Sequence, residues 1–256
     1  MTPPGPEHDL LAGGRLLSAV DDHTLAAWLA VRAGTLLLDI RAQGGREGDR
    51  QSNDLLLRLL AMARPDDAVL SEESADDLAR LGRERVWIVD PLDGTREYGE
   101  PPRTDWAVHV ALAIRGRPAV GAVALPAAAR VLHTGAPPVL PPSGQGPIRL
   151  TVSRSRPPAC VEHLVRHLDA QLVPMGSAGA KAMAVVRGEA DVYAHSGGQY
   201  EWDSCAPVAV AAAAGLHVSR LDGSPLLYNQ PSPYLPDVLI CHPAFADRVL
   251  DVLRDS

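Results

Sequence analysis

Asp90 and Asp93 stand three residues apart in the segment WIVDPLDGTREYGE, directly after the apolar run 86–89. Such a run suits a buried strand, and the strand is expected to stop at Asp90-Pro91 because proline cannot donate to a ladder. The turn that follows aims both acids, and the Leu92 carbonyl between them, at one point. Carboxylate and carbonyl oxygens with no histidine or cysteine beside them suit a hard cation, magnesium before zinc. Upstream, a short strand at 68–70 ends on Ser71-Glu72-Glu73-Ser74, which places Glu72 to complete the set. Any one of these acids alone reads as a cap or turn residue; the combination is what points to a cation.

A second feature is GSAGAK at 176–181, a glycine-rich turn between an expected strand and an expected helix. Backbone N–H groups at a helix N-terminus suit a phosphate. Lys181 in this turn is the only lysine of the chain, and arginine carries the rest of the positive charge.

The elements that must position these residues alternate. Apolar residues at helical spacing give helices over 22–43, behind the caps Asp21 and Asp22, and over 49–64. Strands follow at 68–70, 86–89, 106–114 and 119–125. The stretch 135–147, GAPPVLPPSGQGP, is rich enough in proline and glycine to be an exposed connection, and it divides the chain into domains at 1–134 and 148–256. Beyond it come a strand at 148–153, a helix at 158–170, a strand at 172–175, a helix at 177–187, a strand at 191–194 and a helix at 203–214 ended by Gly215. The pattern is α/β.

With 256 residues, 46% of them hydrophobic, the chain can bury a proper core. The formal charge of -7 gives no basic field, which argues against a nucleic acid polymer and leaves phosphorylated metabolites, whose charge bound cations cancel locally. Cys160, Cys205 and Cys241 are odd in number and form no CxxC pair, so neither a disulfide framework nor a zinc site is expected. The N-terminus lacks a basic start followed by an apolar core, and the longest apolar run, 206–216, is too short to span a bilayer. The expected location is a reducing cytoplasm, without membrane association.

The DPLDGT string behind an apolar strand, the LSEES strand end upstream and the Trp-Asp pair at 202–203 together resemble the inositol monophosphatase-like superfamily of lithium-sensitive, magnesium-dependent phosphatases. The resemblance covers about 25–240. It implies a layered αβαβα sandwich, two or three Mg2+ ions and, commonly, a homodimer. Carried across by position, it assigns the metal ligands to Glu72, Asp90, the Leu92 carbonyl, Asp93 and Asp203. It assigns Thr95 to orient and deprotonate the attacking water together with an upstream aspartate. The family spacing counted back from Ser71 lands on Asp49 rather than Asp54, and Asp49 also falls at the expected helix start. Arg46, however, stands where the family has threonine, so Asp54 stays in view.

The second half looks like the bisphosphate nucleotidase branch. HSGGQYEWDSCAP carries a glycine pair before the Trp-Asp and Cys-Ala-Pro after it, while Ser196 occupies the place where monophosphatases put a glutamate for a sugar hydroxyl. GSAGAK also matches that branch. The resemblance therefore implies a phosphorylated nucleotide as partner, contacted by Gly94, Thr95, Ser153, Arg154, Gly176, Ser177, Lys181 and His195. The implied reaction removes the 3'-phosphate of adenosine 3',5'-bisphosphate in sulfate assimilation, with 3'-phosphoadenosine 5'-phosphosulfate as a further substrate. Inositol 1-phosphate or fructose 1,6-bisphosphate hydrolysis on the same scaffold is the alternative. A nucleotide- or metal-sensing protein without turnover is the competitor from another class, and it would not need every metal position filled. His109 and Trp106 read as core or pocket wall, Trp28 as packing, and Cys205 has no base beside it to make a nucleophile.

Overall fold

A computed structural model describes residues 17–143, 146–155 and 157–254. Residues 1–16, which belong to the first expected domain, and residues 255–256 of the second lie outside the described residues. In the first half, α1 (Asp22–Ile40) and α2 (Gly45–Ala63) precede β1 (Ala68–Ser71), β2 (Arg85–Asp93), the short α3 (Thr95–Tyr98), β3 (Ala107–Ile114), β4 (Arg117–Leu125) and β5 (Arg130–His133). The second half holds β6 (Arg149–Ser153), α4 (Ala159–Leu168), β7 (Gln171–Met175), α5 (Ala178–Val186), β8 (Val192–Tyr200), α6 (Glu201–Ala213), β9 (His217–Ser219), β10 (Tyr234–Cys241) and α7 (Ala246–Arg254).

Among the described residues, the strands form two five-stranded sheets, ordered β1-β2-β3-β4-β5 and β7-β6-β8-β10-β9. β1 runs parallel to β2, and the other pairs of the first sheet are antiparallel. Three apolar clusters show the layering. Leu25, Leu29 and Leu37 of α1 and Leu56 and Leu60 of α2 pack on Trp87, Val89 and Val108 of the first sheet. On the opposite face, Ile88 and Ala111 meet Met183 of α5 and Val208 of α6, which in turn meet Tyr193 and Ile240 of the second sheet. Leu164 of α4 and Val249 of α7 cover the far side of that sheet through Leu150 and Leu239. The result is the expected αβαβα sandwich, with α5 and α6 in the middle layer. α6 comes so close to β4 that a Cβ on Gly121 would lie 2.7 Å from the Ala206 carbonyl oxygen. No helix among the described residues is long and apolar enough to cross a membrane.

Several expected boundaries move. β2 does not stop at Asp90-Pro91 but continues to Asp93. Proline is tolerated there because β1 reaches only as far as Val89, so β2 has no partner on that side from Asp90 onward. α2 begins at Gly45, which places Asp49 in the second turn rather than at the helix start. β8 runs six residues past the expected strand end at 194, to Tyr200, through a register shift around Gly197 and Gly198, both at positive φ.

Candidate active site

Parallel pairing sets Ser71 of β1 beside Val89 of β2, so Glu72 and Asp90 leave the sheet as neighbours. Across β3, Asp90 pairs with His109 and Asp93 with Ala107, which puts one extra residue into β2. That bulge turns the strand end, as extra residues at sheet rims do. Buried polar contacts fix it: Ser52 Oγ donates to the Pro91 carbonyl at 2.8 Å, and the Leu92 N–H donates to Asp90 Oδ1 at 3.0 Å. Gly94 then takes a left-handed conformation, φ +89°, before α3 begins at Thr95.

A further acid arrives from the other half, at a helix start. Asp203 lies in the first turn of α6 and accepts the Tyr200 N–H at 2.7 Å, capping its own helix. Asp90, Asp93 and Asp203 each present an oxygen within 4.8 Å of the others. Asp49 reaches the same region from α2, where its Oδ2 lies 3.1 Å from Thr95 Oγ1, which is also 3.2 Å from the Leu92 carbonyl. Asp49 Oδ1 is buried without a hydrogen-bond partner. Asp54 is exposed and paired with Arg50 at 2.9 Å.

The electrostatics of this cluster are lopsided. Loss of solvent pushes Asp49 up to about 7, with the charges of Glu73 and Asp93 adding to it. Glu72 is exposed as a residue, yet desolvation of its carboxyl, followed by the charges of Asp203, Asp49 and Asp93, raises it to about 8 against a hydrogen bond with Asp90 that pulls the other way. Desolvation and Asp93 raise Asp203 to about 6, and burial drives Asp90 well above the carboxylate range. Asp93 alone goes the other way. Burial opposes its charge, but His109, Lys181 and Ser177 outweigh burial and hold it at about 2.

Asp93 owes this to the GSAGAK turn. It accepts Ser177 Oγ at 2.5 Å, the Ala178 N–H at 3.1 Å and the Gly179 N–H at 2.6 Å, so it caps α5 from the opposite half of the chain. The amides expected to face a phosphate are therefore taken by a carboxylate. Lys181 likewise turns back, donating to the carbonyls of Ser177 at 2.6 Å and Gly176 at 3.1 Å, 5.5 Å from the Tyr193 ring. Burial lowers its pKa.

A cleft of about 430 Å³ opens beside the cluster, lined among others by Asp93, Ser153, Ser177, Lys181, His195 and Asp203. His195 Nε2 bonds the Gly197 carbonyl at 2.7 Å, while its Nδ1 has no partner. The other expected substrate contacts lie apart from this lining. Arg154 is held by Glu97 and Glu100, each at 2.9 Å. The Gly176 N–H donates to Asp105 at 2.6 Å, and Gly94 packs against Ser177 and Trp106.

The matching sequence pattern of the inositol monophosphatase family spans residues 46–139 and 142–255. The chain belongs to that family. It is 53% identical over 243 residues, 88% of this chain and 90% of the relative, to the 3'-phosphoadenosine 5'-phosphate phosphatase of Mycobacterium bovis. The 3'(2'),5'-bisphosphate nucleotidase CysQ of Escherichia coli K12 is 30% identical over 226 residues, 82% of this chain and 91% of its own. Among solved structures, CysQ of Bacteroides thetaiotaomicron matches with a TM-score of 0.72 at 25% identity, covering 85% of this chain and 96% of that one.

Family membership makes a metal centre the natural occupant, and the residues fit one. The donors are all oxygens, four raised carboxyls crowd together, and the buried Asp49 Oδ1 lacks a partner. Sequence reasoning missed four contributors. His109, read as core or wall, sets Nε2 3.1 Å from Asp93 Oδ2 and bonds the Trp202 carbonyl through Nδ1 at 3.0 Å. Asp105 holds the Gly176 amide, Ser52 holds Pro91, and Asn53 bridges Ser71 Oγ at 2.7 Å and Ser74 Oγ at 3.1 Å. The recurrence of polar Asp49, Ser52 and Asn53 beside Leu56, all on one helix face, was the available signal for the last two.

Proposed function

We propose that this chain is a magnesium-dependent phosphatase that removes the 3'-phosphate of adenosine 3',5'-bisphosphate, leaving the 5'-monophosphate and inorganic phosphate. The observation that carries this reading is the 53% identity, over 88% of the chain, to a relative named for that substrate. Glu72, Asp90, Asp93, Asp203 and the Leu92 carbonyl would hold two or three Mg2+ ions. When bound, magnesium neutralises phosphoryl charge and acidifies water.

The protein's own part is positioning and proton transfer. Asp49, raised to about 7, titrates near neutral pH, where a general base works best. It takes the proton of the attacking water, which the Thr95 hydroxyl orients at 3.1 Å from Asp49. The water oxygen bonds to phosphorus as the bond from phosphorus to the ribose 3'-oxygen breaks, and that oxygen takes a proton from solvent. No group of the protein is phosphorylated. The nucleotide lies in the cleft beside Ser153, Ser177, Lys181 and His195. Ser196 also lines that cleft and offers no carboxylate to a sugar hydroxyl, which speaks against an inositol phosphate.

The same reading extends to lithium sensitivity, a homodimer and a place in sulfate assimilation, with 3'-phosphoadenosine 5'-phosphosulfate as second substrate. Three buried free cysteines support a reducing cytoplasm. The test is phosphate release with magnesium from adenosine 3',5'-bisphosphate, inositol 1-phosphate and fructose 1,6-bisphosphate at equal concentration, with and without lithium. Preference for the nucleotide, lost under lithium, is expected. Equal turnover of the sugar phosphates overturns the substrate assignment, and no release from any of them overturns the enzyme.

A further inference from the structure

Glu72 and Asp203 come from different halves of the chain, and their separation is held by different means on the two sides. α6 carries Asp203 and is packed into the middle layer by Val208, Val210 and Ala211, all buried. Glu72 begins the irregular segment between β1 and β2, whose only helical piece is the 3-10 turn Leu78–Gly82. Apolar packing fixes the first; the second is held at its start by Asn53, which bridges Ser71 and Ser74, and further on it has no apolar anchor in Leu78 and Leu81, which are exposed.

Arg80, in that turn, is only 1% exposed. Its guanidinium grips Asp76 with Nε at 2.6 Å and Nη2 at 2.8 Å, and Nη1 donates to Asn229 Oδ1 at 2.8 Å. Asn229 returns a bond from Nδ2 to the Arg80 carbonyl at 3.1 Å. Its own backbone N–H, and that of Gln230, donate to the two oxygens of Glu201 at 2.6 and 2.7 Å. Glu201 is buried and lies two residues before Asp203. An unbroken line of hydrogen bonds therefore ties the segment that starts at Glu72 to the first turn of α6.

We propose that Arg80 and Asn229 form a latch that sets the distance between Glu72 and Asp203, and so the affinity for the cation. They are positioning residues, and the inference rests on the cation reading above. Burying an arginine and a glutamate side chain is costly, and apolar residues could pin a segment without that cost. What the polar contacts add is direction, since a fork gripping one carboxylate and a reciprocal amide pair permit one relative placement.

Asn229 has φ +58°, so Asn229→Gly keeps the backbone and both N–H bonds to Glu201 while deleting the two bonds to Arg80. Asn229→Asp keeps an acceptor for Arg80. Arg80→Met is the harsher variant. The measurement is calorimetric titration of Mg2+ into metal-free protein without nucleotide, with the urea midpoint in chelator as control. Cation binding by Asn229→Gly is expected to weaken about tenfold, the scale for partners that orient metal ligands. The Mg2+ concentration for half-maximal activity should rise with it while kcat at saturating Mg2+ holds, and Asn229→Asp should recover most of the loss. Wild-type cation affinity in Asn229→Gly, or an equal loss in Asn229→Asp, overturns the latch. Failure of the wild-type protein to bind Mg2+ overturns the cation reading, and the latch with it.

Discussion

Gly179 is where the cluster can be disturbed without touching a ligand. A Cβ at this position would lie 2.1 Å from His109 Nε2 and 3.1 Å from both Cδ2 and Cε1, so Gly179→Ala drives a methyl group into the edge of a fully buried ring. The ring must turn away. Overpacking of this kind costs about 1–3 kcal/mol. Turning also breaks the bond from Nδ1 to the Trp202 carbonyl and leaves buried polar groups unmatched, for about 1–3 kcal/mol more. Alanine's better helix propensity returns about 1 kcal/mol in α5. A net loss near 3 kcal/mol is expected, which a domain of ordinary stability survives in folded form. Asp93 would lose the ring that helps hold it at about 2, so phosphatase activity should fall with stability.

Urea unfolding of metal-free protein, combined with phosphate release at saturating Mg2+, reads both effects. The double variant His109→Ala/Gly179→Ala separates them, because the methyl group then enters vacated space. It should be about 1–3 kcal/mol more stable than the sum of the single variants requires. Additivity within about 0.5 kcal/mol, or a neutral Gly179→Ala, would refute the close approach of α5 to His109.

Asp93→Asn and Asp203→Asn should each abolish nearly all phosphate release while circular dichroism shows a folded protein; more than about a tenth of wild-type turnover in either removes that residue from the centre, since losing a ligand is expected to cost at least a decade. Asp49→Asn should slow turnover with little change in nucleotide affinity, whereas Asp54→Asn, on the solvent face, should leave both intact; the reverse ordering would move proton transfer to Asp54. Mg2+ must displace protons from Asp203, Asp49 and Glu72, raised to about 6, 7 and 8, so its calorimetric affinity should climb between pH 6 and 8.5, with proton release seen as a dependence on buffer ionisation heat. These carboxyls hold protons more tightly folded than unfolded. The metal-free fold should therefore lose stability as pH rises from the unfolded range near 4 through about 8, and Mg2+ should stabilise it most at the alkaline end. A flat stability profile would show that the carboxyls do not crowd as described.

The acids were legible in the sequence because each marks the end of a strand or the start of a helix. The apolar runs before Glu72 and Asp90, and the Trp-Asp before an alanine-rich helix, announce those ends locally. The alternation of elements carried the α/β class, and the αβαβα layering came from the family resemblance. What could not be read was which atom each polar group faces. GSAGAK looks like a phosphate cradle from its glycines and lysine, yet its amides meet Asp93, a contact 85 residues back in the chain for Ala178. Arg154 looks like a substrate contact, yet Glu97 and Glu100 hold it across the interface between halves. His109 alternates with apolar neighbours in β3 and reads as core; only its pairing with Asp90 across the bulge reveals its reach to Asp93.

Those long-range contacts share one consequence. Two positive groups, a helix N-terminus and the Ser177 hydroxyl all converge on Asp93, while Glu72, Asp90, Asp203 and Asp49 receive no comparable compensation. A fold optimised for stability would spread its cations evenly or replace the acids by apolar residues. Here Asp93 is kept ionised at neutral pH as a fixed negative point at the join of the two halves, and the other acids hold protons more tightly than free carboxyls do. On the proposed reading, a cation that replaces those protons would repair the imbalance between acids that come from opposite halves of the chain. The strand end carrying Asp93 is held by the start of α5, whereas the segment carrying Glu72 meets the other half through the polar contacts of Arg80 with Asn229.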